Sequence, residues 1–227
     1  MLFQWRGGAV GSGPEEMKRE GLAFVISAPS GAGKTTLVRR VMEQLPDLHF
    51  SVSYTTRSPR ANEREGEDYH FVSRSAFREM VERDEFLEWA EVLGNWYGTA
   101  LAGVKDFILK GRDLILDIDS QGAKKVKEKL DQTVLIYILP PSPEALCERL
   151  VNRGLDSPEM IQYRLAGAYQ DIEEAHWYQY VIVNERIEEA VEQLKAIIIA
   201  ERCRKVKISI LEEKKREWGK HHGKNNR

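Results

Sequence analysis

Leu22-Ala23-Phe24-Val25-Ile26-Ser27, then Ala28-Pro29-Ser30-Gly31-Ala32-Gly33-Lys34-Thr35, then a run with Leu37, Val38, Val41, Met42 and Leu45 up to Pro46, is the stretch that decides the fold. The first six residues are a short apolar run, as expected of a strand buried on both faces. The last part has helical spacing over Thr35–Gln44 and stops at proline. Between them lies a glycine-rich turn matching the phosphate-loop spacing G-x-x-x-x-G-K-[ST], with Ala28 in place of the first glycine. Gly31 and Gly33 let backbone N–H groups turn inward around phosphate oxygens, and the helix N-terminus adds positive potential. Lys34 can reach the outer phosphates, and the Thr35 hydroxyl is a ligand for Mg²⁺. An ordinary glycine-rich turn is the bland alternative, and the flanking strand and helix argue against it.

Further along the chain, Asp113–Ile118, Val134–Leu139 and Val181–Val183 read as further buried strands. Helices are expected near Ala100–Lys110, from Gly122 to Leu130, as a pair within Ser142–Ala175, and at Glu188–Arg202. This alternation predicts an α/β fold, a three-layer P-loop NTPase architecture with a parallel sheet core and ligands at the carboxyl ends of its strands. From Phe50 to Gly98 the pattern changes to polar, aromatic and arginine-bearing segments around one helix, Arg74–Glu82, with Ser73 as its N-cap. That region reads as an inserted subdomain.

The expected organisation is a flexible glycine-bearing leader over 1–20 and a folded domain over 21–205, followed by a basic tail over 206–227. Met17 offers a second possible start. The tail reads as a solvated, frayed helix end, with RNA or membrane-surface contact as the minority reading. The chain's 227 residues suit one elaborated domain, and its net charge of -2 leaves any electrostatic attraction to local patches. Cys147 and Cys203 make neither a disulfide framework nor a metal cluster, which suits a reducing, cytoplasmic setting. Val134–Leu139 and Ala196–Ala200 fall far short of the roughly 20 apolar residues of a membrane span, and Met1–Ala9 does not resemble a secretory signal. The histidines have no zinc-like spacing.

A phosphate loop alone does not name an acceptor. Ser51-Val52-Ser53-Tyr54-Thr55-Thr56-Arg57-Ser58-Pro59-Arg60, Glu67-Asp68-Tyr69-His70-Phe71-Val72, Glu85-Phe86-Leu87-Glu88-Trp89-Ala90 and Asn95-Trp96-Tyr97-Gly98-Thr99 follow in order. With Asp117-Ile118-Asp119, Gln121-Gly122 and Val183-Asn184, they give the chain a resemblance to guanylate kinases from about Leu22 to Arg202.

The resemblance implies transfer of the γ-phosphoryl group from Mg·ATP to GMP, with Mg²⁺ bound alongside the ATP. It implies ATP contacts from Ala28, Pro29, Ser30, Gly31, Ala32, Gly33, Lys34, Thr35 and Thr36, with Asn184 near the adenine. Arg57, Arg60, Tyr69 and Tyr97 would hold the GMP phosphate, since two guanidinium forks and two phenols suit a dianion. Ser53, Glu88, Thr99 and Asp119 would read guanine: an ionised Glu88 accepts from its N1 and N2 donors, while hydroxyls serve O6. Thr99 stands where the family commonly has serine, and a hydroxyl remains. Asp117 is assigned with Thr35 to the metal, although spacing alone does not divide the work between Asp117 and Asp119. Residues of about 141–168 would form a mobile lid, with the GMP subdomain over about 50–99. In the lid Arg149, Arg153 and Arg164 would join Lys34 and Arg57 in screening the group in flight. Salt bridging on a helix surface is the bland reading of those arginines.

Two other functions fit parts of the pattern. A kinase of another small phosphate acceptor would not need Glu88 with Ser53 and Thr99. A non-catalytic binding module would not need Lys34, Thr35, Arg57 and Glu88 together. No nucleic-acid partner is expected outside the minority tail reading, and oligomeric state is left open.

Overall fold

The computed structural model describes residues 20–60, 63–92, 94–154 and 156–222. At its centre is a five-stranded parallel sheet in the order β2-β7-β1-β8-β9, formed by β1 (Ala23–Ser27), β2 (Leu48–Phe50), β7 (Asp113–Asp117), β8 (Thr133–Leu139) and β9 (Tyr180–Val183). All five residues of β1 are buried, because both faces of the sheet are covered. Phe24 and Ile26 pack with Leu37 and Val41 of α1 (Lys34–Gln44) and Leu194 and Ile198 of α7 (Ile187–His222). Ala23 and Val25 point the other way, toward Val104 and Ile108 of α3 (Leu101–Leu109) and Ala123 and Val126 of α4 (Ser120–Lys129). The expected three-layer fold is thus the one observed.

A second sheet, in the order β4-β3-β6-β5, lies between β2 and α3 in the chain. Its strands are β3 (Ser53–Thr55), β4 (Tyr69–Phe71), β5 (Phe86–Val92) and β6 (Asn95–Ala100). Phe77 of α2 (Arg74–Glu82) stacks on Phe86 with ring centroids 4.4 Å apart, fixing helix to sheet. Ser73 caps α2 as expected, accepting from the Ala76 N–H at 3.1 Å. Two further helices, α5 (Pro143–Arg153) and α6 (Pro158–Glu173), share a small core of Leu146, Leu150, Ile161 and Ala168. Gly154 ends α5 at φ +65°, a left-handed stop that glycine accommodates.

The structure departs from the sequence reading in the four strands of the second sheet, which no pattern announced, and in two further elements. β2 follows Pro46 as a three-residue edge strand of the main sheet, too short to carry a periodic signal. The last helix does not fray after Arg202 but runs to His222, through a segment of good helix formers with no glycine before Gly219. Apart from Glu20, the leader lies outside the described residues, as do 223–227.

α7 is pinned to the sheet by buried charge. Asp113 is fully buried, accepting from the Leu22 N–H at 2.9 Å and from Arg202 Nε at 2.6 Å. One turn of helix is thereby tied to β1 and β7 together. Arg202→Ala would remove a charge-assisted donor from that buried carboxylate, and removing one partner of a buried pair is strongly destabilising. The variant is expected to lose about 3 kcal/mol of stability in urea denaturation; a loss within experimental error would show the pair to be dispensable.

Candidate active site

The phosphate loop leaves the carboxyl end of β1 and enters α1 through Gly31 and Gly33, at φ +95° and +93°. No acidic residue stands in the first turn of α1, so its N-terminal potential is not offset there. Lys34 forms an ion pair with Asp117, which ends the neighbouring strand β7. Thr35 and Thr36 are exposed in the first turn. The loop's outer side is closed by the Ala32 carbonyl, which accepts from Asn184 Nδ2 at 2.8 Å and from Arg149 Nη1 at 3.3 Å.

The second sheet gathers the residues expected to hold an anion. Strand register sets Ser53 beside Tyr69 and Thr55 beside Tyr97. The Arg57 guanidinium lies 5.4 Å from the centroid of Tyr69 and also hydrogen-bonds the Tyr97 hydroxyl. The Tyr69 and Tyr97 rings meet edge-on at 6.0 Å. Burial, followed by the charge of Asp117, raises the pKa of Tyr69. Arg57, Tyr69 and Tyr97 are therefore brought together, while the Arg60 side chain is exposed at the rim.

Glu63 is the residue that sequence reasoning missed. Its carboxylate accepts from Arg57 Nη1 at 2.9 Å and Nη2 at 2.8 Å, and from the Arg60 N–H at 2.8 Å. Arg57 thereby holds Glu63 below the usual carboxylate range, and Glu63 raises the Arg57 pKa in turn. Ser58 O takes another Nη1 donor at 2.7 Å. Arg57 is thus held in a fixed orientation beside the tyrosines, as a charge-assisted fork. The usable signal was the spacing Arg57, Arg60, Glu63: an acid three residues beyond the second arginine and six beyond the first.

Glu88 lies deeper, 6% exposed, on β5 opposite Thr99 of β6. The Thr99 hydroxyl donates to Glu88 Oε1 at 2.6 Å. Lys125 donates to the Trp89 carbonyl and Lys129 to the Phe86 carbonyl, stitching α4 to β5 on either side of Glu88. Gly122 on α4 makes the close approach possible, since a Cβ there would come within 2.8 Å of Glu88 Oε2. Asp119 caps α4, accepting from the Gly122 N–H at 2.7 Å, so its carboxylate also serves a structural bond. Burial first, with Asp119 adding to it against the Thr99 bond, pushes Glu88 up to about 6.

The arginines of α5 and α6 are not equivalent. Arg164 bonds Ser30 Oγ in the phosphate loop at 2.5 Å and pairs with Asp156 at 3.1 Å. Arg149 reaches the loop from outside, with Nη2 on the Asn184 carbonyl at 2.9 Å. Arg153 is exposed, and no hydrogen bond among the described residues ties it to the loop. Among those residues no group of three or more His, Cys, Asp or Glu could cage a metal. Thr35 and Asp117 are hard oxygen donors at the loop's mouth, a set that fits an Mg²⁺ carried mainly by phosphates and water.

A parallel sheet whose central strand runs through this glycine-rich loop into a helix defines a P-loop NTPase fold. The family model described as guanylate kinase matches residues 20–201. A guanylate kinase of Geobacter metallireducens is 52% identical over 192 residues, covering 85% of this chain and 95% of that protein. One from Geobacter sulfurreducens gives the same identity and coverage. The crystal structure of guanylate kinase from Anaplasma phagocytophilum is similar at TM-score 0.68 and 38% identity, covering 81% of this chain and 87% of that one. The chain belongs to the guanylate kinase family.

The buried position of Glu88 generates a pH dependence. If Glu88 reads guanine as the sequence leads one to expect, its ionised form would accept two donors from the base edge, and affinity for GMP should be full well above pH 6 and fall as pH drops through about 6. The phosphate of GMP titrates in the same range; Glu88→Gln retains that titration and lacks the carboxyl one. KM for GMP measured from pH 5 to 8 is expected to rise more steeply on acidification in the wild type than in Glu88→Gln. Parallel profiles would contradict the assignment.

Proposed function

We propose that this chain transfers the γ-phosphoryl group of ATP to GMP and dGMP, forming ADP and GDP by direct in-line transfer. Family membership supports the reaction. The observation that carries it is a buried carboxylate, Glu88, bonded by the Thr99 hydroxyl in the same sheet as Tyr69 and Tyr97, which the Arg57 guanidinium approaches. A purine monophosphate placed there would put its base on Glu88 and its phosphate on Arg57, Tyr69 and Tyr97, facing Lys34. Ser53 and Asp119 line the base end of this path and Arg60 its rim. Adenine would present an acceptor at N1 to the carboxylate, and a hydrogen-bonding pocket can reject such a mismatch by about 10⁴-fold.

The acceptor is already an ionised phosphate oxygen, so the protein's work is alignment and charge screening. Lys34 sits at the loop mouth for the transferring group, and Arg164, already on Ser30, closes the lid side. Arg149 and Arg153 complete the screen as residues of about 141–168 swing in. Thr35 and Asp117 would hold the Mg²⁺, which supplies neutralisation of the outer phosphate oxygens. Asn184 borders the ATP site. The reaction belongs in the cytoplasm, where both nucleotides occur and free Cys147 and Cys203 stay reduced.

A coupled assay of ADP release across nucleoside monophosphates tests the proposal. Turnover is expected with GMP and dGMP and not with AMP, CMP or UMP; equal turnover of AMP would defeat it. Lys34→Ala is expected to lower kcat on the order of 1,000-fold. Glu88→Gln should lower kcat/KM for GMP by about 100-fold while leaving ATP binding intact.

A further inference from the structure

We infer that Asn184 is a positioning residue of the phosphate loop: its buried side-chain amide holds the Ala32 carbonyl outward, which turns the Gly33 N–H toward the nucleotide phosphates. The inference rests on the ATP-binding reading of that loop and assigns to Asn184 a role through phosphate, where the family resemblance implies one beside adenine.

The geometry begins with the peptide joining Ala32 and Gly33. A peptide unit is planar, so its C=O and N–H point in opposite directions and fixing one fixes the other. This unit lies between Ala32 and Gly33, the latter at φ +93°. Glycine rotates with little steric resistance on its side of the unit, so no Cβ at position 33 holds the peptide in the direction it faces. Flipped, it would aim a carbonyl dipole at the phosphate and withdraw a donor.

Asn184 supplies the missing constraint. It is 4% exposed, and its Nδ2 donates to Ala32 O at 2.8 Å. Its own backbone is held at both ends, the N–H donating to Leu139 O at 2.8 Å and the carbonyl accepting from Arg149 Nη2 at 2.9 Å. The same guanidinium touches Ala32 O through Nη1 at 3.3 Å. The amide lies flush against the peptide: a Cβ on Gly33 would come within 2.4 Å of Nδ2. Glycine at 33 is therefore needed for Asn184 to reach the loop, as well as for the turn. The end of β9 thus sets the donor direction of a loop that follows β1.

A probe without a base separates this role from an adenine contact. Binding of Mg²⁺-inorganic tripolyphosphate, ATP and GMP to the full chain is measured by calorimetry for wild type, Asn184→Ala and Asn184→Asp. Removing the buried donor is expected to weaken tripolyphosphate about tenfold and ATP by a similar factor, with GMP affinity within about twofold. Weakened ATP with unchanged tripolyphosphate would overturn the inference in favour of a base contact. Equal loss of GMP affinity would overturn it in favour of a general effect on the fold. A wild type that fails to bind tripolyphosphate removes the phosphate-loop reading and this inference with it; wild-type binding with unaltered variants removes the inference alone. If neither variant folds, amide NMR of the wild type decides. The Asn184 side-chain protons should remain slow to exchange with ATP bound, and rapid exchange in that complex would show that the bond does not survive binding.

Discussion

The structure depends on one constraint: β1 pairs in parallel with β7 on one side and β8 on the other, so that all five strands of the main sheet end at the same edge. The phosphate loop leaves β1 there, Asp117 closes β7 beside it, and Asn184 follows β9. Three residues distant in sequence become neighbours because parallel strands need crossovers that return to the same end. Lys34 meets Asp117, and Asn184 meets Ala32, as consequences of that pairing. The buried Asp113 carboxylate at the opposite end of β7 ties the first strand and the last helix into the same frame.

The two substrate clefts solve different electrostatic problems. The phosphate loop presents main-chain donors and a helix terminus, which need no counter-ion and cannot titrate. The second sheet uses side chains whose charges must each be given a partner or a buried place. Arg57 has its own carboxylate, Glu63, while Glu88 is buried against Thr99 and Gly122. A guanidinium fixed by a bidentate partner loses less freedom when an anion arrives than a solvated one.

Much of this was legible in the chain. The phosphate loop declared itself because strand, glycines and helix occur at a fixed spacing, and the alternation of buried runs with amphipathic ones led to the three-layer fold. The Ser73 cap and the Gly154 stop were readable because each is a local, one-turn signal. The strands of the second sheet were harder: β3 and β4 span three residues each, and they exist through pairing, β3 with β6 and β4 with β3, rather than through their own pattern. Glu63 and the Asn184 bond to Ala32 escaped for a related reason, since the first depends on side-chain contacts with Arg57 and Arg60 and the second joins residues 152 positions apart in the chain. The length of α7 was underestimated because charge was read as disorder, whereas Lys, Arg and Glu are also good helix formers.

The account stands on two clefts facing one another across a single gap. The most direct measurement is a crystal structure with GMP and a non-hydrolysable ATP analogue bound together. It should show the triphosphate wrapped by the backbone of Gly31–Thr35, the purine edge on the Glu88 carboxylate, and the GMP phosphate on Arg57 in line with the γ-phosphorus. A purine turned away from Glu88, or a triphosphate lodged outside that loop, would contradict it.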